Sequence, residues 1–189
     1  MATTVERDRP MRADARRNYE RILTAAREEF AENGTDTSYD DIARRAGVGA
    51  GTLYRHFPRR IDLVEAVYSS DIDTLVSAAD KAESMPDAFE GLRLWMRAFV
   101  RYTDTKRVLF NEMHEAFERD PNLRVQLRER LSSAATRVLR RAQDSGVVRT
   151  DINPDDLLQL LGGMCLSATA TPASNKRLLN VILEGLRQP

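Results

Sequence analysis

The feature that most constrains this chain is a near-continuous helical periodicity, cut at short intervals by glycine and proline. Tyr19, Ile22, Leu23, Ala26 and Phe30 repeat at the i, i+3, i+4, i+7, i+11 spacing of one helical face, and Asn33-Gly34 stops the run. Ser38 stands three residues before Asp41, a capping-box-like start with Asp in place of Glu. Tyr39, Ile42, Ala43 and Ala46 then share a face that Gly47 closes. A third short helix is predicted from about Ala50 to Phe57. A fourth is predicted from near Arg59, carrying Ile61, Val64, Val67, Tyr68, Ile72 and Leu75 on its apolar side. Pro86 fits the first turn of a helix through Trp95 and Tyr102. Asp120-Pro121 opens a long helix ending at Ser145-Gly146, and Asn153-Pro154 opens another that fades before Pro172. A last helix carries Leu178, Leu179, Ile182 and Leu186, while Val147-Val148 is too short a run for a strand. The fold class is all-α, without internal repeats.

Length and composition narrow the function classes. The chain has 189 residues, enough for one large domain or two small ones. With 42% apolar and 31% charged residues it is neither collagen-like nor disordered. Cys165 is the only cysteine, which excludes an intramolecular disulfide and a thiolate metal cluster. The polar N-terminus lacks the apolar stretch of a signal peptide, and no run approaches the roughly 18 apolar residues of a membrane span. The expected location is therefore the cytoplasm, with no membrane partner.

The informative stretch is DIARRAGVGAGTLYRHFPRR, residues 41–60. Two short helices joined by the turn at Ala46-Gly47-Val48-Gly49 match a helix-turn-helix, whose second helix enters the DNA major groove. The chain reverses sharply there, and Gly47 can take a positive φ without steric cost. At about 100° per residue, Leu53 and Phe57 of the third helix point inward together. Gly51, Thr52 and Arg55 fall on the opposite side, flanked by Tyr54 and His56. Glycine admits a close backbone approach, hydroxyls can bond phosphate oxygens, and arginine can read guanine or phosphate.

Charge placement supports that reading although the total is zero. Between Ile42 and Ile61 stand Arg44, Arg45, Arg55, Arg59 and Arg60, and no acid. Residues 1–60 hold 12 basic against 10 acidic groups, and residues 61–189 hold 17 against 19. Arg59 and Arg60 sit at the start of the fourth helix, where backbone amides favour an anion, as if a phosphate docks between them. Residues 1–12 read as a mobile arm, either a solvated tail or one whose Arg7, Arg9 and Arg12 reach a minor groove. The 26 arginines against 3 lysines fit either phosphate contacts or a GC-rich genome.

Residues 17 to about 68 resemble the DNA-binding domain of the tetracycline-repressor (TetR) family of bacterial transcription regulators. The resemblance rests on FAENG at 30–34, Ser38 with DIA at 41–43, AGV at 46–48, GTLY at 51–54 and HF at 56–57. It implies a homodimer, with a helix-turn-helix domain over 13–60 and a helical ligand-binding and dimerisation domain over 61–189. By position it implies DNA contacts from Ser38, from Arg44 or Arg45, and from Ala50, Gly51, Thr52, Tyr54, Arg55 and His56. Arg60 takes the place of a phosphate-binding Lys. Two positions depart from the pattern: Gly49 stands where a capping Ser is common, and Ala50 where some members place a base-approaching Lys. The implied partners are double-stranded DNA, a second copy of the chain and a small-molecule effector, without a cofactor or metal.

The later helices carry no comparable motif. Trp95, Met96, Phe99, Tyr102, Phe110, Met113, His114 and Phe117 cluster within 23 residues, either as plain core or as the lining of an apolar effector cavity. His114 and Tyr102 would be its polar handles. On the last two helices Leu158, Leu161, Gly162, Cys165, Leu179, Ile182 and Leu186 suit either a four-helix dimer interface, as the resemblance implies, or intramolecular packing. An enzyme is disfavoured. His56 and His114 are far apart, His114-Glu115 with Glu118 lacks a second His, and there is neither a phosphate-cradling loop nor a nucleophile elbow. A helical protein-interaction adaptor without DNA binding is disfavoured by the acid-free arginine run.

Overall fold

The computed structural model describes residues 8–188. Nine α-helices account for almost all of them: α1 (Asp8–Asn33), α2 (Tyr39–Ala46), α3 (Ala50–His56), α4 (Arg60–Ser84), α5 (Ala88–Val108), α6 (Phe110–Arg119), α7 (Pro121–Asp144), α8 (Pro154–Leu166) and α9 (Pro172–Leu186). A 3-10 turn, Gly34–Asp36, follows α1. Val147-Val148 forms no strand; Val148 makes one isolated antiparallel bridge to Arg187.

Local chemistry sets most helix ends. Asp120, Asn153 and Thr171 accept hydrogen bonds from first-turn amides of α7, α8 and α9, each followed by a proline that has no amide to satisfy. The start of α5 differs from the expectation. Asp87, not Pro86, ends the connection, its Oδ1 accepting from the amides of Phe89 (2.8 Å) and Glu90 (3.0 Å), so Pro86 lies before the helix. Arg7 of the expected arm lies outside the described residues, while Arg9 and Arg12 fall in the first turns of α1.

The chain divides into two compact units. The first holds the residues up to Tyr68 together with Val108–Ala116; the second holds Ser69–Arg107 and everything from Phe117. The division therefore falls within α4, two turns beyond the boundary expected after residue 60. Leu63, Val64 and Val67 of those turns are buried, with Ile22, Phe30, Ile42, Leu53 and Phe57 of the same unit. Leu109, Met113 and Ala116 of α6 are also buried. In the second unit Gly91 lets α5 approach α4: a Cβ there would stand 2.7 Å from the Ala82 carbonyl oxygen. Trp95 is fully buried and its Nε1 donates to the Leu75 carbonyl at 3.1 Å. Arg137 of α7 pairs with Asp80 and Glu83 of α4, and Arg141 donates to the Ala82 carbonyl, lacing the two helices together.

Candidate nucleic-acid interface

α2, its turn and α3 form the expected helix-turn-helix. Ser38 caps α2, its Oγ accepting from the Asp41 amide at 3.2 Å, while the hydroxyl donates to the Asp41 carboxylate. That bond and the charge of Arg44 hold the Asp41 carboxyl below its ordinary range. Gly47 ends α2 at φ 61°, and the Val48 amide donates back to the Ala43 carbonyl at 3.0 Å. Arg21 of α1 donates to the Gly47 carbonyl at 3.1 Å beside the space a Cβ would take, and the positive φ is what favours glycine at this turn.

α3 then presents the expected faces. Leu53 and Phe57 are buried, and Ala50, Gly51, Tyr54 and Arg55 are exposed. A Cβ added at Gly51 would meet nothing, so the bare backbone there answers no packing need. Tyr54 is 53% exposed, its ring 4.9 Å from that of Tyr39, whose hydroxyl donates to the Phe57 carbonyl. Burial, reinforced by the Asp62 charge, pushes the Tyr39 phenol up to about 12. Thr52 and His56 are half-buried, and His56 packs edge-on against Tyr19 of α1 at 6.0 Å.

The arginine run is not acid-free in space. Arg44 pairs with Asp41 and Arg59 with Asp62. Arg45 Nε lies 2.8 Å from Glu29 and its Nη2 2.5 Å from Glu32, with Glu28 at 3.7 Å, so it ties α2 to α1 instead of standing open toward DNA. The Arg45 hydrogen bond holds Glu32 below its ordinary range. Arg60 Nη1 donates to the Thr37 carbonyl at 2.6 Å, its guanidinium lies over the Phe30 ring, and Nη2 is 3.8 Å from Glu112. It is turned into the fold, where a phosphate contact was expected. Among the described residues, Arg55 alone of the five has no ion pair.

The candidate effector residues are drawn from both compact units. Trp95, Met96, Phe99 and Tyr102 are buried in the second unit, the aromatic rings spaced 5.8 Å and 5.6 Å apart along α5. Phe110, Met113 and His114 belong to the first unit, where Phe110 is 60% exposed and His114 is exposed. Phe117, half-buried, returns to the second. Lys106, which the sequence reading passed over, lies one turn beyond Tyr102 with its Nζ 6.0 Å from that ring. Burial, with repulsion from Arg124, lowers its ammonium below the usual lysine value.

The candidate dimer residues differ in how far the single chain buries them. Leu161, Cys165, Leu179 and Leu186 are buried within the unit, and Leu158, Gly162 and Ile182 are half-buried. The apolar residues left outside are Leu160, Leu166, Leu178 and Val181, the last 67% exposed. Asp156, Gln159, Leu160, Gly163 and Met164 line an open groove of about 570 Å³ along α8.

Two family descriptions match this chain. Residues 22–67 match bacterial regulatory proteins of the tetR family, and residues 87–188, more than half of the chain, match the C-terminal domain of SbtR-like transcriptional regulators. An HTH-type transcriptional regulator of Staphylococcus aureus is 41% identical over 68 residues, which are 35% of this chain and 37% of that protein. The chain thus matches little more than a third of the length of such curated relatives. Among solved structures, a TetR transcriptional regulator of Streptomyces coelicolor is 33% identical, covering 89% of this chain and 98% of its own, with a TM-score of 0.80. A TetR transcription regulatory protein from Mycobacterium vanbaalenii is also 33% identical, covering 94% and 99%, with a TM-score of 0.76. The open face of α3, the capped turn before it and these similarities define a DNA-binding helix-turn-helix transcription regulator. The chain belongs to the TetR family.

Proposed function

We propose that the protein is a homodimeric repressor that binds a palindromic operator and is released by a small-molecule effector. The observation that carries DNA recognition is the outer face of α3, where Gly51 answers no packing need and Tyr54 and Arg55 stand open. Tyr54 and Arg55 contact bases or phosphates, with Ala50, Gly51 and Thr52 letting the groove come close. Ser38 and Arg44 reach the flanking backbone. In a two-fold dimer two such helices enter successive major grooves roughly 34 Å apart.

Dimerisation uses the outer apolar face of α8 and α9, around Leu160, Met164, Leu178 and Val181. An exposed apolar patch of this kind is the usual mark of an interface. The effector binds beside the aromatic row of α5, and the part-desolvated Lys106 over Tyr102 favours one that carries an anionic group. Its binding shifts α4, which is one unbroken helix from Arg60 to Ser84, and so changes the spacing of the recognition helices. The protein acts on DNA in the bacterial cytoplasm and not as an enzyme. Band shifts on the DNA upstream of its own coding sequence, with and without a ligand library, test the whole reading. If ligands that demonstrably bind leave DNA affinity unchanged, the coupling is wrong.

A further inference from the structure

Arg60 and Glu112 lie 52 residues apart in sequence but in one compact unit, and they form a link that DNA contact does not explain. Arg60 is the first residue of α4, and its guanidinium is engaged by groups outside that helix. It donates to the carbonyl of Thr37, the residue immediately before the α2 cap, at 2.6 Å. It covers the Phe30 ring of α1 at 5.1 Å, and its far nitrogen reaches Glu112 of α6 at 3.8 Å. Glu112 is 17% exposed, and its second oxygen, Oε2, is buried without a hydrogen-bond partner. A carboxylate withdrawn from water with one oxygen unsatisfied and the other in a long ion pair is held at a cost, which one attractive cation offsets only in part. Removing either charge therefore disturbs the other.

We propose that Arg60 and Glu112 together are positioning residues for DNA binding: Glu112 fixes the Arg60 guanidinium, and Arg60 fixes the Thr37 carbonyl and with it the first turn of α2. Neither residue touches DNA. The consequence is that a shift of α6 of about an ångström, which tightens or breaks a 3.8 Å pair, alters the register of α2 beneath the recognition helix. The proposal rests on the DNA-binding reading above and adds a regulatory link to it.

The test uses the full chain and a duplex that the wild type enriches from a random-sequence pool. Arg60→Gln and the isosteric Glu112→Gln are each expected to weaken binding about tenfold, and the double variant no more than either alone. The salt dependence of binding keeps its wild-type slope in all three, because no phosphate contact is lost. The Asp41 and Ile42 amides, bonded to Ser38 Oγ and to the Ser38 carbonyl, exchange with solvent faster, while amides of α7 do not change. A salt slope reduced by about one in Arg60→Gln makes Arg60 a phosphate ligand and overturns the proposal. So does a Glu112→Gln protein that binds like wild type, or a double variant whose losses multiply. If Arg60→Gln fails to fold, Glu112→Gln carries the decision with the same readouts. A wild type that enriches no duplex at all overturns the DNA-binding reading itself, an outcome distinct from every one above.

Discussion

The outer face of α3 and the outer face of α8 and α9 are both left without partners in the single chain, and their chemistry is opposite. On α3 the open positions are small or polar: Ala50, Gly51, Tyr54 and Arg55. On α8 and α9 they include Leu160, Leu166, Leu178 and Val181. A face of glycine, hydroxyl and guanidinium suits a wet, charged surface such as a nucleic acid. A face of leucine and valine suits a dry one, such as its own copy. The same fold thus leaves two faces of opposite chemistry unburied.

The comparison breaks first at α9. Val181→Asp is expected to raise the dimer dissociation constant more than a hundredfold, since it buries an unpaired charge. Unfolding of the isolated chain should shift by less than about 0.5 kcal/mol. Sedimentation at several concentrations reads the first effect and urea titration the second. Leu179→Ala, on the buried stripe nearly opposite Val181, should do the reverse and cost about 2–5 kcal/mol of folding stability. A monomer produced by Leu179→Ala but not by Val181→Asp would return the interface to the inner stripe.

Smaller effects sharpen the α3 side. Arg55→Ala is expected to weaken specific DNA binding by about 1–3 kcal/mol, read by fluorescence anisotropy, with the melting temperature unchanged. Gly51→Ala separates binding from folding most cleanly, because the added methyl meets no protein atom. It should stabilise α3 by about 0.5–1 kcal/mol while lowering DNA affinity. A Gly51→Ala protein that binds DNA as well as wild type would move the approach surface elsewhere on the helix. The smallest effect is electrostatic. Arg45 holds the Glu32 carboxyl below its ordinary 4.5, so this pair stabilises the fold above that pH. The contribution is lost as pH falls through the lowered folded-state value. Arg45→Gln should therefore flatten the fall of melting temperature as the pH drops below about 4.5.

How far these faces could be read from sequence follows from the range of the chemistry. Ser38, Gly47 and the inward pair Leu53 and Phe57 act within a few residues, so cap, turn and recognition face were all legible. The arginine run misled in part, because its partners come from elsewhere: Glu29 and Glu32 from α1, Glu112 from α6. A stretch without acids in sequence became, among the described residues, a stretch with one arginine outside any ion pair. On α8 and α9 the difficulty was different. Leucines lie on several sides of both helices, so periodicity offers two apolar stripes and no rule for which is inner. The expected Leu161, Cys165, Leu179 and Leu186 are the inner one. The effector cluster draws on both compact units, a division that proximity in sequence across the break at Leu109 does not reveal.

That division bears on how such chains can be recombined. The N-terminal unit is discontinuous, completed by Leu109, Met113 and Ala116 from more than forty residues further on. A chimaera that joins this reading head to a relative's sensor at α4 would import foreign side chains into the head's own interior. Successful exchange therefore demands a two-point graft that carries residues 108–116 along with the first 68. Any lineage that has traded sensors while keeping its operator should show those nine positions travelling with the head.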